Sequence, residues 1–115
     1  MTTILILSKL NKNLELVAEF FKKQGFDSVS ASSYEDLDRI LSSLSFDIAL
    51  LDIGGFDSTI WHYCEKINKH GKPFFIISAV KNPKIDKEGI KKGARGVLVK
   101  PLVMKELNEI IKALV

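Results

Sequence analysis

Four short and almost uninterrupted apolar runs, Thr3 to Leu7, Ile48 to Asp52, Phe74 to Ser78 and Gly96 to Val99, are separated by longer stretches with apolar residues every three or four positions. Strand-length runs alternating with helix-period segments predict βαβ units feeding a parallel sheet. The near-continuous hydrophobicity says that both faces of that sheet are covered, because a strand with one wet face would alternate instead. Ser28 to Ala31 is predicted as a further, more polar strand, which makes five. The fold class is therefore α/β, a three-layer doubly wound sheet with helices on both faces.

The helices differ in how clearly they are written. Leu14, Val17, Ala18 and Phe21 repeat at helical spacing, with Asn11 or Asn13 expected as the cap and Gly25 as the stop. Ser33 with Asp36 three residues on predicts a capped second helix carrying Leu37, Ile40, Leu41 and Leu44. Ile60, Cys64 and Ile67 mark a third, and Leu107, Ile110, Ile111 and Leu114 a fifth. Between them a short fourth helix is predicted over Asp86 to Lys92. No linker, repeat or low-complexity stretch interrupts the order, so residues 1–115 read as one domain.

Composition narrows the function classes. One cysteine, Cys64, leaves no intramolecular disulfide and too few thiolates for a zinc or iron–sulfur site, which points to a reducing compartment. The apolar runs fall far short of the roughly 18 residues a membrane span needs. Met1, Thr2 and Thr3 offer no positive region of a secretory signal, so a cytoplasmic protein is expected. His62 and His70 have no partner at metal-ligand spacing and read as surface residues, and Cys64 reads as a small buried hydrophobe. The net charge of +3 hides an asymmetry, with the basic excess gathered between Lys81 and Lys100. Lys87, Lys91, Lys92 and Arg95 in that stretch are predicted to form a positive interaction face. Charge alone is thin support for nucleic-acid binding, which also needs groups that read bases or stack on them.

In doubly wound sheets, function sits outside the carboxyl ends of the strands. Those ends carry Ser8 and Lys9 after the first strand, Asp52 on the third, Ser78 and Ala79 on the fourth, and Lys100 followed by Pro101 on the fifth. An aspartate, a Ser-Ala pair and a Lys-Pro step in this order and strand context resemble the receiver domain of two-component response regulators, over essentially the whole chain. The resemblance implies a strand order of 2-1-3-4-5 and a phosphoryl-accepting carboxylate at Asp52, with Ser78 and Lys100 beside it. A hydroxyl and an ammonium there would stabilise the charge that an incoming phosphoryl group spreads over its oxygens.

Three features depart from the pattern. Familiar receivers place two acidic residues after the first strand to hold magnesium, whereas this chain has Ser8 and Lys9. A hard divalent cation wants oxygen ligands and neutralising negative charge, so magnesium binding is expected to be weak or absent and no metal site is assigned. Val97 stands at the switch position where the family usually has an aromatic ring. The loop Ile53 to Asp57 carries Gly54 and Gly55 in place of the common Met-Pro.

The resulting expectation is a non-enzymatic, atypical receiver that acts mainly through protein contacts. Its partners would be a histidine kinase or an output domain, or a second copy through the fourth helix, fifth strand and fifth helix. The alternative within the family is a working phosphoacceptor at Asp52 with little magnesium dependence. From another class, a flavodoxin-like nucleotide or flavin binder shares the topology, but Ser8 to Asn13 has no glycine that would let backbone amides cradle a phosphate.

Overall fold

The structure is a computed structural model and describes residues 2–114. Five strands and five helices alternate: β1 (Thr3–Leu7), α1 (Asn11–Lys23), β2 (Asp27–Ala31), α2 (Tyr34–Ser43), β3 (Ile48–Asp52), α3 (Ile60–Lys69), β4 (Phe74–Ser78), α4 (Pro83–Lys91), β5 (Gly96–Val99) and α5 (Met104–Leu114). The sheet runs β2-β1-β3-β4-β5 with every pairing parallel. Ile4 is registered against both Ser28 and Ile48. The chain reverses its winding direction at β1, which opens a crevice between the carboxyl ends of β1 and β3.

The period of two along each strand divides the core. Leu5, Leu7, Ala49, Leu51, Phe74 and Ile76 point to one face, where Leu37 and Ile40 of α2 and Cys64 and Ile67 of α3 cover them. Ile4, Ile6, Ile48, Leu50, Phe75 and Ile77 point to the other, under Leu14 and Phe21 of α1 and Leu107 and Ile111 of α5. β1, β3 and β4 are almost wholly buried, and each fully buried aliphatic side chain contributes about 1.5–3 kcal/mol against the entropy of ordering the chain.

Of the two polar caps expected from the sequence, the one on α1 is absent and the one on α2 is present. Leu10 stands at the N-cap of α1 and no side chain caps it, so Asn11 and Asn13 lie inside the helix. α2 does begin on Ser33, whose hydroxyl accepts the Asp36 N–H, but it ends before Leu44, which is 46% exposed. α4 starts three residues earlier than expected. Asn82 accepts the Lys84 N–H and Pro83 occupies the first turn, where a missing N–H costs nothing.

Candidate functional site

Asp52 closes β3, opposite Ile77 of β4, and is 7% exposed. The chain then turns at once: Phe56 N–H donates to the Ile53 carbonyl at 3.1 Å, with Gly55 at a φ of +82° that side-chain-bearing residues rarely adopt. This turn brings the Gly54 N–H to 3.1 Å from Asp52 Oδ1. The second carboxylate oxygen, Oδ2, lies 2.6 Å from Lys100 Nζ. Lys100 is positioned by its own backbone, whose N–H donates to the Ser78 carbonyl at 2.9 Å and extends the β4–β5 ladder. A carboxylate at a buried strand end is costly alone, and this pair with its backbone donor offsets that cost.

Ser78 is buried beside this end of the sheet, but its hydroxyl is engaged locally. It donates to the Val80 carbonyl at 2.8 Å and accepts the Val80 N–H at 3.3 Å. Ala79 follows it into solvent. Ser8 is 5% exposed, and its Oγ accepts the Leu10 N–H at 3.2 Å. Of the two lysines that could meet Asp52, only Lys100 is paired with it. Lys9 lies with its ammonium 5.0 Å from the centre of the Phe56 ring, and its stem crosses Gly55, where a Cβ would stand 3.2 Å from Lys9 Cδ. Val97 is half-buried against the α2–α3 side of the core.

An aromatic group that sequence reasoning missed borders the site. The Tyr34 and Phe56 rings are 5.3 Å apart, and Tyr34 stacks on Tyr63 at 4.7 Å with an interplanar angle of 2°. The Tyr34 hydroxyl donates to Asp57 Oδ1 at 2.8 Å. Burial and this carboxylate push the Tyr34 hydroxyl well above its ordinary range, and the same hydrogen bond holds Asp57 below the usual carboxylate range. These residues come from α2, the β3–α3 turn and α3, and no short sequence pattern joins them.

The predicted basic face needs one correction. Lys87, Lys91 and Arg95 are exposed, whereas Lys92 turns toward α3 and pairs with Glu65 at 2.6 Å and Glu88 at 3.7 Å. These carboxylates raise the pKa of the Lys92 ammonium and leave it no part in an open surface. His62 and His70 are exposed. Cys64 is fully buried, and burial pushes its thiol up to about 12, far from the range of a reactive thiolate. Among the described residues no three His, Cys, Asp or Glu side chains are grouped to hold a metal ion. No helix among them is long and apolar enough to cross a membrane.

Solved structures similar to this one share its fold throughout. A two-component response regulator from Clostridium difficile superposes with a TM-score of 0.92 at 23% identity, over 99% of this chain and 95% of that one. A chemotaxis protein from Vibrio cholerae gives 0.86 at 19% identity, over 100% and 99%. A response regulator from Burkholderia pseudomallei, solved with a phosphorylated aspartic acid, a calcium ion and citrate, gives 0.81 at 17% identity, over 100% and 67%. A comparison with curated protein sequences finds no match. Identities this low establish the fold alone, but the response regulator receiver domain family model matches residues 4–112. With that match spanning nearly its whole length, the chain belongs to the response regulator receiver domain family of two-component signalling.

Proposed function

We propose that this receiver domain acts chiefly by binding other signalling proteins, and that its acidic site is not built for magnesium-dependent phosphotransfer. The observation that carries this reading is the Lys100–Asp52 pair at 2.6 Å, formed where Ser8 and Lys9 replace the acidic pair of familiar receivers. The residues present do not fit the family's magnesium ion. Asp52 spends one oxygen on an ammonium, Ser8 Oγ is engaged by the Leu10 N–H, and Asp57, the next carboxylate along, is held by Tyr34 and the Thr59 N–H. A cation entering here would meet one neutralised carboxylate, which is far from the set of oxygen ligands magnesium requires.

A second reading, phosphate acceptance at Asp52 without the metal, is favoured by the same pair, since Lys100 already brings positive charge to the oxygen next to which a phosphoryl group would be carried. The Burkholderia pseudomallei regulator, whose structure holds a phosphorylated aspartic acid, has this fold. Labelling with radioactive acetyl phosphate separates the two readings. The expected result is little label, unchanged by millimolar magnesium or by a chelator. Steady labelling of Asp52 that ignores the metal would favour the second reading, and fast labelling that requires magnesium would overturn both.

The binding surface is proposed to lie on α4, β5 and α5. These elements and the turn before α5 expose Ile90 (55%), Val99 (38%) and Val103 (55%), while Lys87, Lys91 and Arg95 add positive charge. Apolar contacts with a charged surround are the usual make-up of a protein interface, and the charge suits an acidic partner surface on a kinase, an output domain or a second copy. Reversing charge with Lys87→Glu and Lys91→Glu is expected to slow association with a physiological partner about tenfold at low salt and to flatten its salt dependence. An unchanged association rate in stopped-flow measurements would exclude this face.

A further inference from the structure

A cavity of about 530 Å³ opens between α1 and α5 on one face of the sheet. The alternation of side chains along a strand sorts its lining by height. Ile6 and Leu50 enter it from β1 and β3, and Ser8 and Asp52, each two positions further along the chain, stand above them on the same face. Leu14 of α1 and Leu107 of α5 close the sides, so the floor and walls are apolar and the polar groups gather at the upper end. The volume is that of a small-molecule site, and a mainly apolar lining with a few convergent polar groups is the usual make-up of one. The polar end adjoins the crevice at β1, where sheets of this topology bind ligands.

The polar end selects against charge of either sign. Among the described residues that line the cavity, only Asp52 and Lys100 are charged, and they are paired with each other at 2.6 Å. The lining is therefore net neutral. Its hydrogen-bonding capacity is mixed as well. The Ser8 hydroxyl accepts from Leu10 and keeps a proton to donate, and Lys100 keeps N–H groups beyond the one given to Asp52. Asp52 keeps lone pairs beyond those taken by Lys100 and the Gly54 N–H, and the Asn13 amide carries donors and an acceptor. An anion brought here would meet the Asp52 carboxylate beside the one available cation, and a cation would meet Lys100 beside the one available anion. Either ion leaves water without gaining an unpaired counter-charge, which is costly. An uncharged group that both donates and accepts, a hydroxyl or a primary amide, loses little in the same place.

We propose that this cavity binds an uncharged amphipathic molecule of the medium-chain alcohol or amide class, its chain between α1 and α5 and its polar end beside the Lys100–Asp52 pair. Burying the chain removes apolar surface of ligand and walls from water, which is the main driving force. The ion pair stays intact on binding, so the site does not depend on whether Asp52 accepts phosphate.

Octan-1-ol and octanamide serve as probes, with octanoate and octylammonium at neutral pH as controls of matched chain length. Isothermal titration below the aggregation concentration of each is expected to show saturable one-to-one binding of the two uncharged probes, with both ions at least about tenfold weaker. Intermolecular NOEs should connect the octanol chain to the methyl groups of Leu14, Met104 and Leu107, which line the cavity. Val17→Phe, at a half-buried lining position, should occupy part of the cavity and weaken octanol about tenfold or more while the fold survives. Lys100→Met leaves the Asp52 carboxylate unpaired, so in that variant octylammonium should overtake octanoate by about tenfold or more. Absence of saturable octanol binding would overturn the proposal. So would an ion that binds the parent as tightly as octanol does, NOEs confined to methyl groups outside the cavity, unchanged octanol affinity in a folded Val17→Phe variant, or octanoate still equal to octylammonium in Lys100→Met.

Discussion

The double replacement Ser8→Asp and Lys9→Asp is expected to create a magnesium site and to make acetyl-phosphate labelling of Asp52 both faster and metal-dependent. Two added carboxylates would stand with Asp52 at the carboxyl ends of β1 and β3, giving a hard cation the oxygen ligands and negative charge it now lacks. Removing Lys9 matters as well as adding acid. At an effective dielectric constant of about 20, an ammonium 6 Å from a divalent ion repels it by roughly 5 kcal/mol. Position 8 is 5% exposed, so an unpaired carboxylate there costs stability, and the metal-free variant should unfold about 1–3 kcal/mol more easily than the parent. Magnesium at a hundredfold excess over its Kd should return about 2.7 kcal/mol. Thermal melts with and without magnesium measure this directly. An equal magnesium-induced shift in the parent protein would mean that the site already binds the metal and that Ser8 and Lys9 do not disable it.

Lys100→Met is expected to destabilise the protein by about 1–3 kcal/mol. Removing one member of a fully buried ion pair costs about 3–5 kcal/mol, and the Lys100 side chain is about one-third exposed, which lowers the figure through solvent screening. The loss arises from what is left behind: Asp52 remains 7% exposed with the Gly54 N–H as its remaining hydrogen-bond donor. Adding Asp52→Asn to the Lys100→Met background should therefore recover most of the stability, because the charge that needed the lysine is gone. Asp52→Asn alone should cost less than Lys100→Met, since the freed ammonium can turn into water. Urea unfolding of the four proteins completes the cycle. Additive effects would show that the two groups are not energetically coupled and would remove the basis for a neutralised site.

Strand ends were the most legible part of this chain. β1, β3 and β4 are buried on both faces, so their sequences are unbroken apolar runs and the polar residue closing each one stands out. That made Ser8, Asp52 and Ser78 visible without coordinates, and the shorter apolar run of β5 did the same for Lys100, which follows it. The start of α4 was hidden because Ile85, Gly89 and Ile90 make a thin apolar stripe, and Pro83 reads as a breaker when its cap is overlooked. Lys92 looked like part of a basic surface because its partner Glu65 lies 27 positions earlier and meets it through packing of α3 against α4. Lys9 leaves the same end of the sheet as Asp52, but the Phe56 ring that receives its ammonium depends on a turn whose course is set by Gly55. Pairings between distant elements leave no local pattern, and these are the ones that were missed.

The division of the core by the sheet has a consequence for synthesis. Residues of α2 and α3 precede β4 in the chain, so most of one apolar layer can close as soon as that strand is added. The opposite layer waits. Ile4, Ile6, Leu50 and Ile77 need Leu107 and Ile111, which belong to the last helix, and α1 alone covers that layer only in part. A growing chain emerges at about 5–20 residues per second, and this side of the sheet stays open to water, or to a chaperone, until α5 has left the ribosome. Ribosome-bound chains halted after β5 are therefore the form of this protein in which an apolar sheet face is available for misassociation.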